Sequence, residues 1–479
     1  MSNAMAAILE DLRNHPQRSP VVFGAGVGVA ALAILAGWGL WLAILAILVP
    51  TAIAVANRPQ RGILIMCALL PYDGIIKQFA PGWTNPWKQA LTLGLLALTF
   101  VCPAAARAQT RRVFPQWTKV FLVFVALGVI SAYRVDRETA LVGLRLSYFS
   151  ALIALTIWRC PLDRRDRDTF VTIFIAMATV TALVGIWQQT VSDSYLHDLG
   201  YAYNETIRFT AGMTVRSFST FNLPFPFGFY LMLAVLIGLP MSLAEPRRLR
   251  SKVFFAVLPV LLLGMFFSFV RGAMLGLAVG LLYLAFHRYK VLVYGIPLVL
   301  VAALFIPSGA ALTNAVFSSN SLGDRTSSWG DRLDHFAENP FGTGIGTTGA
   351  AAEKAAKLNF VDPNTTYVPD NSWLKVMFEL GVIGLWLLVV MFVSMFLMVR
   401  NTEKQVTGID RDFVAGCTAQ MLAVMAASLV ATYFELVPMD QLFWITIGIV
   451  AAMAPREKAD AAVFRPVPTV RRGRVNSGR

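Results

Sequence analysis

Apolar runs of about 17 to 24 residues recur along the whole 479-residue chain, each long enough to cross a hydrocarbon core about 30 Å thick. At that depth there is no water to satisfy backbone polar groups, so a continuous apolar run must satisfy its own, as a helix does. A barrel would need alternating runs, and these do not alternate. Composition agrees, with 57% of residues hydrophobic, 14% charged and a mean hydropathy of +0.62. The expected fold class is therefore all-α: a polytopic helical membrane protein, with residues 1–479 as one integral membrane domain. Taking each run as one crossing gives about 14 spans, at 20–37, 39–56, 61–76, 89–106, 118–133, 139–158, 168–189, 223–243, 252–269, 272–287, 291–307, 373–399, 412–433 and 436–453. The third is short and contains Pro71, Asp73 and Gly74.

A formal net charge of +14 raises nucleic acid as a partner, but the placement of the charge argues for a membrane instead. If the N-terminus is cytoplasmic, the segments "RNHPQR", "NRPQR", "ARAQTRRVFPQWTK", "RCPLDRRDRD", "EPRRLRSK", "HRYK" and "RNTEKQVTGIDRD" all fall on the cytoplasmic face, as the positive-inside rule requires. The basic tail, 455–479, joins them. The opposite face receives two longer loops, 190–222 and 308–372, and function is expected there. The four cysteines lie within apolar segments or beside a basic loop, and the four histidines are ungrouped. No disulfide framework, metal site or cofactor is expected.

Chemistry is sought among charges on the loop-bearing side. Arg271 in "SFVRGAMLGL" is the tip of a tight hairpin between two apolar runs, where a snorkelling anchor is the plain alternative to a functional role. Arg216, with Arg208 upstream, precedes the span at 223–243, and the second loop adds Arg325 and Arg332. Several guanidinium forks around an apolar rim with few acids would attract an anion such as phosphate. "DRTSSWGDRLDHFAENP" reads as a short amphipathic helix with Trp329, Leu333 and Phe336 on one side, and Arg325 and Arg332 share a face. "NPFGTGIG", containing Gly344, is a glycine-rich turn whose amides either face an oxyanion or simply return the chain. Asp370 and Asn371 stand at the mouth of the next span, as caps or, for Asp370, as a general base. Glu379, Glu435 and Asp440 are the remaining acids nearby, each an ion-pair candidate for one of the arginines.

These motifs, in this order, resemble the O-antigen polymerase and ligase superfamily of bacterial envelope glycosyltransferases. The resemblance rests on "VRSFSTFNLPFPFGFYL", "SFVRGAMLGLAVGL", "RTSSWGDRLDHFAENPFGTGIG" and "DNSWLKVMFELGVIGL", which together span roughly 205–390. It implies a GT-C-like fold and an inverting, metal-independent transfer of a glycan from a polyprenyl diphosphate at the periplasmic face of the inner membrane. Arg216, Arg271 and Arg325 match arginines that bind the diphosphate, with Arg332 beside them; Trp329, Asn371, Glu379 and Gly344 lie in the supporting motifs. Where ligase members carry His-Asn, this chain has Asp370-Asn371. That departure favours polymerisation of lipid-linked repeat units, with a lipid-linked donor and acceptor, the bilayer, a chain-length regulator and a flippase as partners. Transfer to lipid A core or another acceptor, and transport of a lipid-linked glycan, are the alternative readings. A transporter would be expected to carry ionisable residues near the midplane of several spans.

Overall fold

The computed structural model describes residues 49–101, 114–201, 215–293, 339–357, 369 and 371–454. The chain divides into two compact units, 1–61 and 62–479. In the first, 49–57 are helical and Arg61 donates to the Ala54 carbonyl. All regular elements are helices, and no strand occurs among the described residues. They are α1 (Pro59–Leu69), α2 (Asp73–Phe79), α3 (Trp87–Val101), α4 (Gln116–Ser131), α5 (Arg137–Tyr148), α6 (Leu152–Arg159), α7 (Arg164–Trp187), α8 (Asp193–Asp198), α9 (Pro224–Ala244), α10 (Leu249–Phe267), α11 (Arg271–His287), α12 (Gly349–Lys357), α13 (Ser372–Gln405), α14 (Ile409–Ala427) and α15 (Met439–Met453).

Seven helical segments among the described residues are long and apolar enough to cross a membrane, and three shorter apolar helices accompany them. The expected spans at 20–37 and, for the most part, at 39–56 and 291–307 lie outside the described residues. Three expected spans are broken, that at 373–399 by Gly381 at φ +70. The third span bends through a 3-10 turn, Leu70–Tyr72, because Pro71 cannot continue the α1 ladder. The sixth is interrupted at Phe149–Ala151.

The core sits on α9. This helix is apolar all round and 89% of its hydrophobic window is buried, as a helix enclosed by other helices must be. It packs against α7, α10, α11 and α14, while α11 lies along α14. Glycines set the close approaches: a Cβ on Gly276 would come within 2.9 Å of the Ala423 carbonyl oxygen.

Charge separates the bundle into two ends. At one, Arg167 pairs with Asp410 (2.8 Å), Arg248 with Asp168 (2.8 Å) and Arg288 with Asp412 (2.9 Å). Four of the basic connections read from the sequence therefore meet at one end. At the other, the loops are laced together: the Thr220 hydroxyl donates to the Pro71 carbonyl (2.6 Å), the Ser372 amide to the Ser428 carbonyl (3.0 Å) and the Ile345 amide to the Ser131 hydroxyl (3.2 Å).

Gln188, which caps the C-terminal end of α7, fastens part of this second end. Its Oε1 accepts from the Phe218 and Ser219 amides (3.1 and 2.7 Å), and its Nε2 donates to the Ser219 carbonyl (3.0 Å). Ser219 has φ +56, so the clamp secures a backbone conformation that L-residues resist. Gln188→Leu would strip three buried groups of partners at a cost of about 1–3 kcal/mol each. We expect a lower melting temperature in detergent; an unchanged one would show that the segment is held without the clamp.

Candidate functional site

Arg216 lies in the extended stretch that Gln188 anchors. Its neighbour Ser217 fixes the register, donating through N to the Phe267 carbonyl (2.9 Å) and through Oγ to Gly185 (2.6 Å). The Arg216 guanidinium is thereby brought over the α10–α11 turn. Nε donates to the Ser268 carbonyl (3.2 Å) and Nη2 to that of Phe269 (3.3 Å), while the plane sits 5.0 Å from the Phe225 ring. It thus satisfies carbonyls just past the C-terminal end of α10, which a helix leaves without partners. Phe269 has φ +51, and it and Ser219 are the only non-glycine residues at positive φ among those described. Both flank this arginine, and such strained positions cost roughly 1–3 kcal/mol each unless the surroundings enforce them.

Arg271 is the first residue of α11, two residues beyond Phe269. No acid occupies the first turn of that helix, so its amide end presents positive potential alongside a positive side chain. Gly272 lets the helix start lie against Val430 and Phe229. The two guanidinium groups are close enough to perturb one another. Burial first, and the Arg271 charge second, bring the Arg216 pKa down to about 10. Arg216 stays cationic at neutral pH, and no carboxylate among the described residues pairs with it. Two segments far apart in sequence therefore place two cations and a helix N-terminus together, an arrangement suited to an anion. Arg325, Arg332, Trp329, the amphipathic segment around them, and Asp370 lie outside the described residues.

A second cluster adjoins the first through residues 428–431. Val430 faces Gly272, while Ser372, at the start of α13, hydrogen-bonds the Ser428 and Ala431 carbonyls. Asn371 is the N-cap of α13, its Oδ1 accepting from the Trp373 and Leu374 amides (2.8 and 3.3 Å). Further along, Gly381 at φ +70 breaks the helix. The glycine-rich turn fills the gap: the amides of Thr343 and Gly344 donate to the Phe378 and Glu379 carbonyls (2.8 and 3.0 Å), and Val382 donates to the Pro340 carbonyl (3.2 Å). Gly344, at φ +112, presses on Val135 so closely that a Cβ would lie 2.2 Å from its Cγ2.

Two sequence expectations are corrected here. The glycine-turn amides do not face an open oxyanion position: those of Gly346 and Thr348, with the Thr348 hydroxyl, all donate to Glu379 Oε1 (3.1, 3.2 and 3.2 Å). Nor, among the described residues, does Glu379, Glu435 or Asp440 pair with Arg216. Lys375, one turn before Glu379, takes both Glu379 Oε2 (2.8 Å) and Glu435 Oε1 (3.3 Å), because all three are buried together and a lysine at i−4 is the nearest cation. Glu435 also accepts from the Ala350 amide at the start of α12 (3.0 Å), and Asp440 accepts from Ser150 Oγ. Lys375 was overlooked in the sequence although its i,i+4 spacing to Glu379 is visible in "KVMFE"; Gln188 carried no local signal.

Residues 253–389 match the family model described as O-antigen ligase. The match supports the O-antigen polymerase and ligase superfamily, whose members are glycosyltransferase-like enzymes acting on lipid-linked glycans. The matched region opens in α10 and closes in α13, so it takes in Arg271, the glycine-rich turn, Lys375 and Glu379; Arg216 and Glu435 lie outside it. No curated protein matches the chain.

Removing Lys375 should cost about 3–5 kcal/mol, because two buried carboxylates, Glu379 and Glu435, lose the cation they share. Lys375→Met should therefore lower the melting temperature sharply, and Glu379→Gln added to it, which removes one of the two stranded charges, should restore part of the loss. Equal, additive losses in the double variant would show that the two side chains act independently.

Proposed function

We propose that this protein polymerises polyprenyl-diphosphate-linked oligosaccharide repeat units at the outer face of a bacterial inner membrane. The observation that carries the reading is the pair Arg216 and Arg271, set together over the N-terminus of α11 with no carboxylate among the described residues pairing with Arg216. The family match supports ligase- or polymerase-type activity in general.

In the reaction an acceptor hydroxyl oxygen attacks the anomeric carbon of the donor from the face opposite the diphosphate. A C–O bond forms, the glycosyl–phosphate C–O bond breaks with its electrons leaving on the diphosphate, and the configuration inverts. Negative charge gathers on the departing diphosphate, so preplaced guanidinium groups stabilise the transition state more than the bound donor. Arg216 and Arg271 serve in this way, joined by Arg325 and Arg332 from the second loop. Asp370, immediately before the capping Asn371, accepts the hydroxyl proton. Lys375, Glu379 and Gly344 hold the frame around the start of α13.

A ligase moving the glycan to lipid A core or another acceptor is the second reading, favoured by the description of the matched family. Purified protein given a lipid-diphosphate-linked repeat unit should produce a ladder of products; a single addition to a different acceptor would establish the ligase. Arg216→Ala and Arg271→Ala should each lower turnover by about 100- to 1,000-fold with membrane insertion intact. Wild-type chain lengths in both would remove the pair from catalysis.

A further inference from the structure

A groove of about 710 Å³ runs along the outside of α4, between it and the α5–α6 pair. Its walls include Trp117, Phe121, Leu122, Leu144, Leu152 and Leu155, and among the described residues Arg145 is the only charged one lining it. Leu122 and Leu141 are exposed along its edge, so it opens sideways, and at its far end Phe114 stacks on Trp158 with ring centroids 4.1 Å apart. The charged mouth lies at the same end of the bundle as Arg216 and Arg271. There α12 packs on α5 and brings Lys354 towards Arg145. Burial lowers the pKa of Lys354, and the charges of Arg145 and then Lys77 add to the effect. Lys77 has Asp73 as a partner at 2.8 Å, whereas no carboxylate among the described residues pairs with Arg145 or Lys354. Tyr148 lines both this groove and the chamber holding Lys375 and Glu379, so the mouth adjoins the candidate site.

We infer that this groove is a second lipid-diphosphate site, which seats the isoprenoid chain of the acceptor and holds its phosphates at Arg145 and Lys354. The inference rests on the polymerase reading, in which donor and acceptor both carry lipid diphosphates. Charge complementarity selects this occupant over bulk lipid. One cation lining an otherwise apolar trough, with a second on the helix packed against α5 and no carboxylate among the described residues pairing with either, is matched by a long apolar chain with a multiply charged head. A zwitterionic phospholipid brings its own cation and leaves them unmatched.

The test counts bound lipid on the full chain in zwitterionic nanodiscs, by native mass spectrometry with undecaprenyl diphosphate as the probe and phosphatidylglycerol as competitor. Two copies are expected at saturation. Arg145→Gln with Lys354→Gln should lose one and Arg216→Ala the other, and Leu155→Trp, which fills the trough from α6 away from Arg145, should also lose one. In turnover, the Arg145 and Lys354 variants should raise the acceptor KM about tenfold or more with the donor KM unchanged. A single bound copy indifferent to the groove variants would overturn the inference, as would displacement of the groove copy by equimolar phosphatidylglycerol. If two copies bind as expected but no ladder forms, the lipid-diphosphate site stands and the polymerase reading falls.

Discussion

Two like charges held side by side are the constraint on which the candidate site depends. Left to themselves, guanidinium groups at an apolar rim would separate or find carboxylates, and Arg216 can do neither. Its backbone is pinned by Gln188 on one side and by Ser217 against Phe267 on the other. Its side chain is drawn over the α10–α11 turn by carbonyls that need donors. Arg271 is fixed as the first residue of a helix whose amide end repels it. The energy of that opposition is recovered when an anion arrives, and more is recovered as the anion gains charge. A leaving diphosphate has that property.

The acids of the same end are treated in the opposite way. Glu379 and Glu435 share Lys375 and draw their remaining hydrogen bonds from Gly346, Thr348 and Ala350, so their charge is used up inside the fold. The helix break at Gly381 belongs to this arrangement, because it frees the Phe378 and Glu379 carbonyls to receive the glycine-rich turn. A Cβ on Gly381 would lie 2.4 Å from the Pro340 carbonyl oxygen, and one on Gly342 the same distance from that of Glu379. Each glycine is required by the other's backbone. Among the described residues the Glu379 and Glu435 carboxylates turn to Lys375 and to backbone amides, and neither pairs with Arg216.

The helical class and the hairpin around Arg271 were legible in the sequence, since length and continuity of apolar runs dictate both. The meeting of four basic connections was legible too, because like-signed loops are placed on one side for a physical reason. What escaped was pairing. Glu379 shows an acid near the arginines when read along the chain, yet the lysine one turn earlier is nearer in space and wins. The glycine-rich turn has the composition of an anion cradle, and it is one, but the anion it holds is a side chain of the same protein. Breaks in the third and sixth spans also escaped, because hydropathy averages over a window and a single turn of 3-10 helix leaves it unchanged.

The central claim is that Arg216 and Arg271 jointly hold a lipid diphosphate. A cryo-electron-microscopy structure of the protein with a non-transferable polyprenyl diphosphate tests it most directly. The account predicts phosphate oxygens at about 2.7–2.9 Å from nitrogens of both guanidinium groups, in front of the first turn of α11. A diphosphate seated elsewhere, with Arg216 still confined to the Ser268 and Phe269 carbonyls, would contradict it.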